Sequence, residues 1–362
     1  MKSLYLILII LALIVGCNKS TAPDENYDYH WKLSDSPVHI DSCFVVNVDE
    51  VLKIDAGVEV IFKASEVNTD FNLDSLNVGM LLIKGTIKAT GTKANPILFK
   101  KEDQNGHWGN IVLENSVSDN VLRYCEIANF LSTKKEDLIY PGGISFYFSN
   151  GLLENCFFYA IGPQIALSCN NSSPQLRNNK IALWGKEDIE KPVSYYGTGI
   201  DCRYNSAPFI YNTVINGGSY SVRCIEGSSP KILNSTFYVN SLGNCCVKSE
   251  SNSFPEVTNT ILFTYPWGST DCASSSANSS VLISYSVLSQ QDHPDDYTDN
   301  GNNIFTSEIG FIEDRYYELS SNSPCIDSGT NDVEGLTNTD IDGNRRIVGR
   351  KIDIGAFEYQ GY

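Results

Sequence analysis

Histidine is scarce in this 362-residue chain, which has only four. His30, His39, His107 and His293 are scattered, and none sits in a recognisable motif with a serine or cysteine partner. The eleven cysteines include no CxxC, and no His/Cys spacing suits zinc. Helical periodicity is missing, and no long low-complexity block divides the chain, so one elongated domain is expected. Positive charge is short: 26 Lys+Arg against 43 Asp+Glu leave a formal −17. That balance argues against nucleic acid and anionic lipid surfaces as partners. The apolar run Leu4 to Val15 is too short to cross a hydrocarbon layer of about 30 Å as a helix.

What is present is a repeat. The lines read NSSPQLRNNKI from Asn171, NSAPFIYNTVI from Asn205, GSSPKILNSTF from Gly227 and NSFPEVTNTIL from Asn252. Each is a polar turn, a proline, a β-rich triplet, an asparagine and a short apolar run. The repeated asparagines are Asn178, Asn212, Asn234 and Asn259, spaced by 34, 22 and 25 residues. The phase extends to Asn155 and Tyr124 on one side and to Tyr285 on the other. Two residues before this position stand Leu122, Leu153, Leu176, Ile210, Ile232, Val257 and Ile283. Three after it stand Ile127, Phe158, Ile181, Ile215, Phe237, Leu262 and Leu288, and the residue directly after it is always small. A column that stays apolar through every unit is an inward face, because strand side chains alternate sides. No unit can bury a core alone, so stability has to come from stacking.

Short β-rich runs, turns and a period of two dozen residues predict stacked coils of parallel strands. With its asparagines at a turn between strands, the chain resembles the right-handed parallel β-helix of the pectate-lyase-like superfamily. The resemblance implies an all-β solenoid with an asparagine ladder. Residues 44–113, with the stretches VLKIDAGVEVIFK, LLIKGTIKATGTKANPILFKK and, running on to Ile127, HWGNIVLENSVSDNVLRYCEI, resemble the first coils of secreted bacterial β-helix proteins. The coil is expected over 37–310. Ahead of it, Lys2 and the apolar run form a signal peptide over 1–16. The run ends Ile14-Val15-Gly16-Cys17, which resembles a bacterial lipobox and implies lipidation at Cys17. Residues 17–36 follow as a tether, and the expected location is the outer membrane or cell surface. The closing stretches YYELSSNSPCIDSG and DIDGNRRIVGRKIDIGAFEY resemble the choice-of-anchor Q segment of bacterial surface proteins, giving a carboxy-terminal cap over 311–362.

Candidate chemistry falls in one strand column. The triplets Ile200-Asp201-Cys202, Val222-Arg223-Cys224 and Val247-Lys248-Ser249 align, as does Leu167-Ser168-Cys169. With the outer members inward, Ser168, Asp201, Arg223 and Lys248 form one outward file on successive coils about 4.8 Å apart. In the resembled superfamily, polysaccharide lyases and hydrolases work on this face. That implies Arg223 or Lys248 as base with Asp201 beside it, and Tyr140, Trp184, Tyr195 and Tyr196 from two long inserts as stacking surfaces for sugars. The bland reading is an exposed ion-pair ladder. No paired carboxylates of a glycosidase are visible as a motif.

Asp340-Ile-Asp342-Gly343-Asn344 resembles the start of a calcium loop, with Asp327 and Asp353 able to converge on it. Position twelve counted from Asp340 is Lys351, which excludes an EF-hand and leaves an aspartate-stabilised turn as the other reading. No cofactor is called for, and calcium is the one ion with candidate ligands. Cys169, Cys202 and Cys224 fall in one inward column and Cys125 with Cys156 in another, either as thiols or as bridges. The resulting expectation is a lipid-anchored surface protein that binds polysaccharide or cell-surface glycan, with no complete catalytic set. The alternative is a polysaccharide lyase or glycoside hydrolase.

Overall fold

A computed structural model describes residues 27–361 apart from 66–72, 75–77, 103–105, 117–118, 136–137, 160–163, 184–196, 240–243, 265–270, 290–296 and 313–316. Three parallel sheets run its length. The first face has eleven strands, from Tyr29–Trp31 to Tyr297–Asp299. The second also has eleven, from Val38–Ile40 to Ile304–Phe305, and the third has nine, from Cys43–Val46 to Asp271–Ser275. One coil shows the order: Thr198–Arg203 on the third face, Phe209–Tyr211 on the first, Val214–Asn216 on the second. Each strand pairs with its counterpart one coil away, so the chain is an all-β, right-handed parallel β-helix.

The apolar columns of the sequence are the core. Leu122, Leu153, Leu176, Ile210, Ile232, Val257 and Ile283 are in register on the first face, and all are fully buried. Ile127, Phe158, Ile181, Ile215, Phe237, Leu262 and Leu288 are likewise in register on the second. On the third face, Cys169, Cys202 and Cys224 stack inward as free thiols. Burial pushes the Cys125 and Cys224 thiols well above the ordinary thiol range, so both stay protonated fillers. No disulfide joins the described cysteines.

The corner between the first and second faces is one residue wide. Tyr124, Asn155, Asn178, Asn212, Asn234, Asn259 and Tyr285 all hold it with φ between 45° and 55°. Asparagine tolerates this left-handed region better than most residues, which accounts for the column. The five asparagines therefore form the expected file. Among the described residues one amide-to-amide bond joins it, Asn212 Nδ2 donating to Asn178 Oδ1 at 3.1 Å. The next residue continues the ladder. Cys156 N donates to Asn179 Oδ1, Thr213 N to Ser235 Oγ, Ser235 N to Thr260 Oγ1 and Thr260 N to Ser286 Oγ, at 2.9–3.3 Å.

A second ladder lines the corner between the third and first faces. Backbone N–H groups of Ser116, Ser149, Ser172, Ser206, Ser228 and Ser253 donate to the hydroxyls of Ser149, Ser172, Ser206, Ser228, Ser253 and Ser279 at 2.9–3.1 Å. At about 1 kcal/mol each, such bonds satisfy backbone that the tight corner would otherwise orphan.

The carboxy-terminal segment differs in placement from a plug across the coil's end. Ile309, Leu319, Cys325 and Ile354 pack on Ile261 and Val287, and the segment then runs lengthwise back along the asparagine corner. Thr330 pairs with Asn259, Thr339 with Asn212 and Asp342 with Lys180. Part of the reason is chemical: the segment supplies backbone partners for the Asn259 amide and for Asn212 Nδ2, though not, among the described residues, for Asn234.

Candidate functional site

On the third face the expected file is in register: Ser145, Ser168, Asp201, Arg223, Lys248 and Ser274 stand on successive coils. Asp201 is outward-facing yet wholly inaccessible to solvent. Arg223 Nε donates to its Oδ1 and Arg203 Nε to its Oδ2, both at 2.6 Å. One carboxylate thus carries two guanidiniums. Arg203 arises from the same alternation, two residues after Asp201, and its side chain is 33% exposed.

The Arg223 guanidinium also lies over the Tyr220 ring, 5.9 Å from its centroid. Burial alone would lower the pKa of Arg223, but the Asp201 carboxylate more than offsets that and raises it. Asp201 thus stands beside Arg223 as its expected partner and holds the guanidinium in its charged form. Lys248 donates to Ser274 Oγ at 3.1 Å and sits 3.8 Å from Glu250. The arrangement offers fixed positive charge with unused N–H donors on Arg203 and Arg223.

Aromatics border this charge where the third face turns into the first. Phe148 follows the strand Gly142–Tyr147, and Tyr204 follows Thr198–Arg203; they are 50% and 44% exposed. Phe148 N donates to Asn170 O, and Asn171 N to Arg203 O, so Tyr204 lies two coils beyond Phe148, or about 10 Å. Neither Phe148 nor Tyr204 was a candidate from the sequence: Phe148 falls at the position Asn171 occupies in the repeat, and Tyr204 directly precedes Asn205, which occupies it one unit later.

Other expected residues lie elsewhere. Tyr140 is not a stacking platform: it is 1% exposed, packed with Met80, Leu82 and Val112, and its hydroxyl donates to Glu114 Oε1 at 2.6 Å. Its insert folds as a hairpin, Thr133–Lys135 against Leu138–Tyr140, over the apolar first half of the third face. Trp184, Tyr195, Tyr196 and Cys17 fall outside the described residues.

The four candidate metal ligands are engaged separately. Asp340 accepts the N–H groups of Asp342, Asn344 and Glu358, and Asp327 accepts those of Arg350 and Lys351. Asp353 accepts those of Asp327 and Tyr359, while Asp342 pairs with Lys180 at 2.9 Å. Among the described residues no group of three His, Cys, Asp or Glu could hold a metal. These aspartates brace turns.

Comparisons with known proteins add little beyond this geometry. No protein-family profile and no curated protein matches the chain. Among solved structures, the pectate lyase Pel9A aligns over 87% of this chain and 89% of its own, at 12% identity and a TM-score of 0.47. At that level the likeness carries no argument about activity, and the strand register itself establishes the fold.

Proposed function

We propose that this protein is an exported, lipid-anchored envelope component whose third face binds an acidic polysaccharide without cleaving it. The observation that carries the reading is the Arg203–Asp201–Arg223 clamp, continued by Lys248, on a rigid sheet of an otherwise acidic chain. Fixed guanidiniums suit planar carboxylates of uronate sugars. Phe148 and Tyr204 supply ring faces along the same edge, and their two-coil separation suits a chain laid parallel to the coil axis. Of the two candidate bases, Arg223 is engaged with Asp201 and Lys248 with Ser274, which favours binding over turnover.

The test is a titration of the whole protein with polygalacturonate, alginate and a neutral glucan, in the presence and absence of calcium. Binding of a polyuronate that weakens with salt and leaves the polymer intact supports the reading. Ultraviolet absorbance of an unsaturated product, lost in Lys248→Ala, would replace it with the lyase reading. Lipid attachment is tested separately: Cys17→Ala should release the protein from the membrane fraction.

A further inference from the structure

The asparagine corner is covered along only part of its length. Over Asn212, Asn234 and Asn259 lies the carboxy-terminal segment, and these three side chains are fully buried. Asn259 shows how the corner reads chain. Its Nδ2 donates to Thr330 O at 2.9 Å, and its Oδ1 accepts from Thr330 N at 2.8 Å. One side-chain amide thus holds the N–H and C=O of a single residue. Asn212 repeats half of this contact with Thr339 O at 3.1 Å, whereas the Asn234 amide, buried between them, has no hydrogen-bond partner among the described residues.

Beyond the Asp340–Gly343 turn the same corner is open. A cleft of about 380 Å³ is lined there by Tyr124, Asn155, Phe157, Asn178, Lys180 and the Asp340–Gly343 turn, among others. Asn155 is in the same left-handed conformation as Asn259, with φ 55° against 51°. Among the described residues the Asn155 amide has no hydrogen-bond partner, so both its donor and acceptor are available.

We infer that this cleft binds an extended segment of another polypeptide, with Asn155 holding one residue's N–H and C=O as Asn259 holds those of Thr330. The argument rests on continuity with the intramolecular contact next door and on amide geometry. In an extended residue the N–H and C=O point to the same edge, so one side-chain amide reaches both. In the trans acetamido group of an N-acetyl sugar they point in opposite directions, and one amide cannot engage both. The cleft therefore favours peptide over such sugars. Tyr124 and Phe157 line the same cleft.

The probe is a fluorescein-labelled peptide of sequence Ser-Gly-Thr-Asn-Asp, copied from residues 328–332, titrated by anisotropy with the whole protein. Asn155→Gly removes the amide while allowing the left-handed corner, so the fold should persist; circular dichroism verifies this. The expected result is saturable binding, at least fivefold weaker in Asn155→Gly, with no competition from chitotetraose. Absence of binding, binding indifferent to Asn155→Gly, or displacement by chitotetraose would each overturn the inference.

Discussion

Two regions of this molecule bury carboxylates, and they treat them in opposite ways. On the third face, Asp201 is neutralised by the guanidiniums of Arg203 and Arg223. In the carboxy-terminal segment, Asp340 and Asp353 are almost as inaccessible, at 1% and 2% exposure, but backbone N–H groups hold them. Arg346 is buried in that segment, yet its Nε and Nη1 have no partner among the described residues. The difference separates roles. Backbone-held carboxylates tie a strap of irregular chain to the coil and are closed off from solvent. The side-chain clamp leaves cationic N–H groups at the surface, where an anionic ligand can meet them.

The comparison breaks most visibly at Asp201. Removing it as Asp201→Ala leaves two neighbouring guanidiniums unpaired, and the urea midpoint should fall by the equivalent of about 3 kcal/mol. If stability is unchanged, the clamp is not an electrostatic unit. Asp340→Ala should cost about 2 kcal/mol through orphaned N–H groups, and the loss should be local. Limited proteolysis should then cut within 330–350 while the coil stays resistant; uniform unfolding would contradict the strap description.

Ligand binding sharpens the contrast. Arg223→Ala should weaken polyuronate binding about tenfold, close to 1.4 kcal/mol, whereas Asp342→Ala in the strap should not change it. Equal effects would remove the distinction between the two regions. The smallest effect is pH dependence. Burial pushes the Glu358 carboxyl up to about 7, partly opposed by N–H donors from Val348 and Asp353. A raised carboxyl pKa means the folded state binds the extra proton, so its stabilising contribution is present at low pH and is lost as pH rises toward 7. The melting temperature of the wild type should therefore fall across that range relative to Glu358→Gln; parallel curves would contradict the assignment.

Much of this was legible in the chain. The apolar columns, the corner asparagines and the file Ser168–Asp201–Arg223–Lys248 could be read by counting, because a stacked coil turns sequence phase directly into register. Tyr140 was misjudged because its hairpin folds back onto Met80 and Val112, a contact no phase argument contains. The serine ladder was overlooked because serine in a turn is unremarkable until six repeats are superposed. Asp201 was legible as the partner of Arg223, but the second guanidinium on it, from Arg203, was not.

Period and alternation alone thus determined the three faces, the inward columns and the outward file, since every coil obeys the same local geometry. Whether an outward residue is free, clamped or covered depended on segments that leave the repeat and return. The hairpin covers part of the third face, and the strap covers part of the asparagine corner. Such contacts join residues as far apart as 180 and 342, where no periodic relation links the partners and only the folded chain brings them together.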